Sequence, residues 1–318
     1  MDTHFNGKIG GLSLENEWIV NVSVATLWTS PESPREKDQL LLSNPAQIKK
    51  WISSNSYDDK LELHAKNMIQ SQLLYGQKVI VTEENGEWLS VLVPDQPSGK
   101  NESGYPGWIP KQQLTPASSF EGGSYDSFAV ISSPTAFLYR LEEKKEIEIS
   151  FNTRLAIQQI GEEWVEVRTV DGTKKVRRND VEIFSVYDGI PKGTGQDIVR
   201  AAEKFLNLEY LWGGMSGFGY DCSGFAYTMH HFNGITIPRD ASDQHKRGKK
   251  VTRDELEPGD LVFFAYDEGK GFVHHVGIYY GNDQMIHSPK TGKTVEIITL
   301  TNSPYEIEFC GGRRFGKE

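Results

Sequence analysis

At 318 residues the chain is long enough for two or three domains, each with a sizeable core. Its net charge of -10 and pI near 5.4 give nucleic acid or an anionic membrane no bulk electrostatic attraction. With only Cys222 and Cys310, the chain has too few thiols for a disulfide framework or a four-cysteine metal site.

No stretch approaches the ~18 apolar residues of a membrane span. The first thirty residues lack the basic-then-apolar pattern of a secretory signal. The expectation is a cytoplasmic protein with no membrane and no nucleic-acid partner; an upstream signal would place it in the cell wall or outside the cell. The basic run Lys174–Arg178 reads as a solvated strand edge.

In chain order, two segments resemble each other and predict a duplicated module. The first comprises residues 21–28, 73–81, 86–91 and 107–110. The second repeats the order at 128–131 with 136–139, then 153–158, 163–168 and 174–177. Short β-branched runs with period-two alternation, separated by Gly, Asp, Asn and Pro, predict small antiparallel barrels. Trp88 and Trp164 read as barrel core. The first copy carries an insertion between Pro31 and Ile69, in which Ser43–Ile52 reads as a capped helix with Pro45 near its first turn. The expected divisions are a first barrel over 1–120, a second over 121–190 and an α+β domain over 191–318, entered through the turn-rich linker 187–195.

From residue 196 the pattern changes. An amphipathic helix over 197–206 leads to a glycine-rich approach, Tyr210-Leu-Trp-Gly-Gly, and then to Asp221-Cys-Ser-Gly-Phe225 at a helix start that runs to about His231. Strands follow at 260–264, 275–280, 284–287, 295–298 and 309–315. Helices first and an antiparallel sheet second is the α+β pattern of papain-like cysteine chemistry. A helix N-terminus and a neighbouring imidazolium both lower a thiol pKa, so Cys222 is the candidate nucleophile. The strand His275-Val-Gly-Ile-Tyr-Tyr-Gly281 supplies a candidate base, and Met285-Ile-His-Ser-Pro289 a candidate orienting group in His287. His274 is the rival of His275, but adjacent strand residues face opposite sides, so one of them alone can point at the thiol. A zinc site is the competing use of one cysteine and several histidines, and none of the familiar paired-ligand spacings is present. Cys310, in an alternating run, reads as a buried strand residue.

Asp-Cys-Ser-Gly-Phe, His-Val-Gly-Ile-Tyr-x-Gly and a third polar residue, in that order, resemble the NlpC-type (NlpC/P60) cell-wall cysteine peptidases over about the last 125 residues. The upstream modules resemble bacterial SH3-like barrels. With residues 28–35 and 104–110, the first is most similar to the YkfC-type γ-D-glutamyl-L-diamino acid endopeptidases. The resemblance implies a papain-like domain preceded by two all-β SH3-like barrels, with no cofactor and no metal. It implies hydrolysis of the bond between γ-linked D-glutamate and a diamino acid such as meso-diaminopimelate, in murein peptides with a free N-terminal L-alanine.

The register before Val-Gly-Ile selects His275 over His274. By the same resemblance Tyr210 and Trp212 line the cleft, and the Tyr210 hydroxyl joins the Cys222 backbone N–H as an oxyanion donor. Asp221 and Ser223 face the substrate, with Asp221 helping to hold the amine, and Tyr105 caps the cleft from the first barrel. Two departures stand out. The glutamate expected in the first barrel has Gln70 as its nearest counterpart. In Pro238-Arg-Asp-Ala-Ser-Asp-Gln244, Asp240 matches but Ala241 replaces the usual serine, so a hydroxyl contact to the D-glutamate α-carboxylate depends on Ser242. A wall-binding autolysin and a non-catalytic binding scaffold are the alternatives to a recycling peptidase.

Overall fold

The computed structural model describes residues 16–119 and 125–316, and the boundary expected at 120/121 lies outside the described residues. The chain opens with β1 (Glu17–Val20) and β2 (Val24–Trp28), continues through α1 (Gln39–Leu42), α2 (Ile48–Ser54) and α3 (Tyr57–Ala65), and returns to strand in β3 (Ile69–Leu74), β4 (Lys78–Asn85), β5 (Trp88–Val93), β6 (Tyr105–Pro110) and β7 (Leu114–Pro116). These strands form one antiparallel sheet in the order β3-β2-β6-β5-β4-β1-β7.

The second module is β8 (Ser127–Ile131), β9 (Thr135–Tyr139), β10 (Lys145–Ser150), β11 (Arg154–Ile160), β12 (Trp164–Thr169), β13 (Gly172–Arg177) and β14 (Val181–Ser185). Its order is β10-β9-β13-β12-β11-β8-β14, so every strand takes the place of the one seven before it. The duplication read from the sequence is thus a duplication of topology.

Several local expectations are corrected. The insertion holds three helices, and α2 starts at Ile48 because the Ser43 hydroxyl donates to the carbonyls of Leu40 and Pro45, closing the preceding turn instead of capping a helix. Trp88 and Trp164 are half-buried: each opens a strand on its outward face, while Leu89, Val91, Val165 and Val167 point inward. The fully buried tryptophans are Trp28 and Trp51. The basic run is no edge, since β13 lies between β9 and β12 and Lys174 is buried against Glu146. Cys310 is half-buried on its strand. Strands β10 and β14 lie outside every run singled out above.

The last part contains α4 (Gly195–Glu203), the two-residue strands β15 (Met215–Ser216) and β16 (Gly219–Tyr220), α5 (Cys222–Phe232), α6 (Ala241–Lys246), β17 (Lys249–Val251), β18 (Leu261–Ala265), β19 (Val273–Gly281), β20 (Gln284–His287), β21 (Glu296–Thr299) and β22 (Phe309–Arg314). The larger sheet is antiparallel in the order β17-β22-β18-β19-β20-β21. Helix α4 starts at a capping box in which Thr194 and Asp197 satisfy each other's backbone N–H, and it buries Ile198, Val199, Ala201 and Ala202. Helix α5 lays Phe225, Ala226 and Met229 against Val276, Ile278 and Ile286 of the sheet. Burial of a side chain such as Phe225 contributes roughly 1.5–3 kcal/mol.

The barrels are built into this domain. Val130 and Phe151 of the second barrel share its core with Phe205 and Phe232, and Tyr75 of the first barrel sits in the core of the second. Leu211 and Phe218 pack with Trp28 and Trp51. No helix among the described residues is long and apolar enough to cross a membrane.

Candidate active site

Helix α5 begins at Cys222 because Asp221, in extended backbone conformation, accepts the Gly224 N–H at 2.7 Å and caps it. Gly224 is required where it stands: a Cβ there would lie 2.2 Å from the Gly214 carbonyl oxygen, where the glycine-rich approach passes under the helix. The thiol therefore sits at a helix N-terminus. It receives backbone hydrogen bonds from Ser223 and from Val276, the residue after His275, which brings β19 against the sulfur. Burial and then the Asp221 charge nonetheless push the Cys222 thiol up to about 12. This differs from the depressed value expected of a helix start, because burial outweighs the helix terminus and the Asp221 charge, only partly offset by Arg239, adds to it.

His275 is 3 % exposed. One ring nitrogen, Nε2, lies 2.8 Å from Nδ1 of fully buried His287. Burial, then His287, then His274 hold the His275 imidazole well below its ordinary range, and burial holds His287 at about 3. Both rings are neutral near pH 7. Gly277 makes the pairing possible, since a Cβ there would fall 2.6 Å from Met285 Sδ and 3.3 Å from the His287 Cβ. The far nitrogen of His287, Nε2, faces Glu296 Oε1 at 3.5 Å, too long for a formed hydrogen bond. His274 lines the same cleft as His275, because the register of β18 and β19 shifts between Phe264 and Ala265, and it stacks on Tyr266 and lies 3.2 Å from Glu308 Oε2.

These groups open on a cleft of about 790 Å³ walled by both the first barrel and the last domain. Cys222, His275, Tyr210, Trp212, Tyr105, Asp221, Ser223, Asp240 and Ser242 all line it, whereas His287 lies behind His275. Tyr210 is buried close enough to Cys222 for the thiolate to raise its pKa, after burial itself. Trp212 fastens the domains together: its indole N–H donates to the Ile69 carbonyl at 3.1 Å and its ring stacks on His64 of α3.

Asp221 differs from expectation. Its carboxylate makes a bidentate ion pair with fully buried Arg239, at 2.7 and 3.2 Å, while also capping α5. Its charge is neutralised before any amine arrives. The Ser223 hydroxyl is held by the same guanidinium at 2.9 Å. Asp240 faces the cleft on the first-barrel side: it does not cap α6, and instead accepts the Tyr105 hydroxyl at 3.0 Å, while Glu308 lines the cleft beside His274. Three residues were missed in the sequence. Arg239 was visible within the Arg-x-x-x-x-Gln run, and its Nε also reaches Ser71 of the first barrel at 3.0 Å. Glu296 and Lys100 carried no local signal, being brought in by strand pairing and by an inter-strand loop. Among the described residues no three His, Cys, Asp or Glu side chains converge as metal ligands.

Residues 207–314 match the profile of the NlpC/P60 family, and residues 131–184 that of the YKFC SH3b2 domain. The chain is 50 % identical to a γ-D-glutamyl-L-lysine dipeptidyl-peptidase of Bacillus subtilis, over 92 % of this chain and 96 % of that one. It is 42 % identical to a protein of the same name from Bacillus cereus, over 95 % and 91 % respectively. A crystal structure of an NlpC/P60 family protein from Bacillus cereus superposes with a TM-score of 0.90 at 42 % identity, covering 94 % of this chain and 99 % of the other.

Proposed function

The chain belongs to the NlpC/P60 family, and from that premise we propose that it is a cysteine peptidase hydrolysing the γ-D-glutamyl–diamino acid bond of murein peptides whose N-terminal L-alanine is free. The observation that carries the reading is a thiol at a helix start, with a histidine pair in the same domain, in a cleft walled on one side by the first barrel.

In this reading His275 Nδ1 takes the Cys222 proton as sulfur attacks the carbonyl, because Nε2 is engaged with His287. Neutral His275 donates Nε2–H to His287 Nδ1, which leaves His287 Nε2–H directed at Glu296. The imidazolium formed then protonates the leaving amine of the diamino acid. The acyl-enzyme holds L-Ala-γ-D-Glu on Cys222 until water, deprotonated by His275, releases the dipeptide. The Cys222 backbone N–H and the Tyr210 hydroxyl are the proposed oxyanion donors. Burial raises the thiol and lowers the imidazole, which disfavours a separated thiolate and imidazolium and favours transfer of the proton as sulfur attacks.

At the far end, Asp240 and the Tyr105 hydroxyl form the polar wall for the peptide's ammonium, with Asp221 and Arg239 as a neutral pair that fixes the floor. Ser242 lines the same cleft beside Ala241. A free amine at the first-barrel wall fits short released peptides, and hence a cytoplasmic recycling role, better than stems still joined to glycan. The test incubates the enzyme with L-Ala-γ-D-Glu-L-Lys, the diaminopimelate analogue, their N-acetyl forms and intact sacculi, with products identified by mass. Free-amine peptides should be cleaved at least tenfold faster than acetylated ones, about what one charged hydrogen bond supplies. Comparable turnover of both forms, or release from sacculi, favours the wall-acting autolysin.

A further inference from the structure

Lys100 lies in the loop between β5 and β6, and that loop is fastened to the catalytic domain. The Gly99 N–H donates to Asp243 Oδ2 at 2.7 Å, and the Arg239 N–H donates to the Pro97 carbonyl at 3.0 Å. The Lys100 backbone is therefore held at the rim of the cleft. Its ammonium donates to the Tyr105 hydroxyl oxygen and, at 2.7 Å, to Gln70 Oε1, and it lies 3.4 Å from Asp240 Oδ2. A phenol, an amide and a carboxylate oxygen give three acceptors to the three N–H groups of one ammonium.

We propose that Lys100 is an internal occupant of the ammonium cradle formed by Tyr105, Asp240 and Gln70, displaced when the free N-terminus of a peptide binds. The proposal rests on the reading above, in which that cradle receives the peptide's amine. Two ammonium groups cannot share these three oxygens, since their charges repel and each needs the same acceptors. The Lys100 side chain is 43 % exposed, so it can swing into water at the cost of its place 4.3 Å over the Tyr105 ring. Gln70 contributes to the balance: with a neutral amide in place of an acid, the cradle carries the single net charge of Asp240, which Lys100 offsets. The lysine thus tunes how much a positive amine gains over a blocked one, because an acylated terminus has no ammonium with which to replace it.

The experiment compares wild type with Lys100→Met, which keeps the length of the side chain and removes its charge. Calorimetry measures binding of L-Ala-γ-D-Glu and its N-acetyl form, and kinetics measure kcat and KM on the free and N-acetylated tripeptides. The substitution should tighten the free dipeptide and lower the free-amine KM by about fivefold, the scale of a partly exposed ion pair, while leaving the acetylated ligands unchanged. A rise in KM would mean that Lys100 supports the substrate, and no change, or an equal change for free and acetylated ligands, would mean that it does not compete. Each of these overturns the proposal, as does a dipeptide that binds neither protein. Wild-type enzyme that binds the dipeptide but cleaves neither tripeptide sinks the assigned reaction instead, and the dipeptide affinities then decide the lysine alone.

Discussion

Burial raises the Cys222 thiol and lowers the His275 imidazole, which favours the uncharged form of both, and that state is measurable. With its thiol pushed up to about 12 by burial and by Asp221, Cys222 should be alkylated by iodoacetamide at a rate that climbs steadily from about pH 6 to 9. A pre-formed thiolate–imidazolium pair would instead give a plateau through neutral pH. Cys222→Ala should abolish peptide hydrolysis and His275→Ala nearly so, whereas His274→Ala, whose ring stacks on Tyr266, should be mild; the reverse ranking of the histidines would sink the assignment. Glu296 is half-exposed and 3.5 Å from His287, so Glu296→Gln should lower turnover by only about twofold to tenfold. Its thiol alkylation should stay at the wild-type rate, since nothing in that reaction needs the second histidine oriented.

Among the elements, the start of α5 depends on one buried cation. Arg239 ties Asp221 and Ser223 to Ser71 in β3, and its own N–H bonds the 94–104 loop, so one side chain and its backbone join barrel to catalytic helix. Removing one member of a buried pair leaves the other charge without compensation. Arg239→Ala should therefore cost about 3–5 kcal/mol in urea unfolding. A loss below about 1 kcal/mol would show that Asp221 finds water instead and that the cap, not the ion pair, holds the element. The motif glycines belong to this scale: Gly224 and Gly277 are glycines because a neighbouring backbone or side chain occupies the space of their Cβ.

Among the described residues three imidazoles are buried, those of His230, His275 and His287. Burial holds His230 at about 4 and His287 at about 3, with His275 also well below its ordinary range. In the unfolded chain each titrates near ~6.5. Below that pH the unfolded state takes up protons that the folded state refuses, so stability falls as the pH falls toward the folded values. Each ring contributes at most ~1.4 kcal/mol per pH unit in that window. The melting temperature should drop from pH 7 to pH 5, and a flat profile would mean that the rings are solvated. Because the three modules share cores, unfolding should be one transition for barrels and catalytic domain together; separate transitions would contradict the common packing of Val130 and Phe151 with Phe232.

By itself the sequence determined the reaction class and the module order, and it singled out the candidate nucleophile and its candidate histidines. Those are local matters: Asp-Cys-Ser-Gly-Phe caps and starts a helix, His-Val-Gly-Ile alternates along a strand, and period-two runs make the strands of a barrel. Only the tertiary structure decided which charges meet. From the sequence Asp221 was the carboxylate expected to help hold the amine, and Asp240 was a match within the Arg-x-x-x-x-Gln run. Packing gave the first to Arg239, 18 residues away, and left the second to Tyr105, 135 residues away. Ion pairing depends on distance in space between groups far apart in the chain, and neither composition nor periodicity carries that distance.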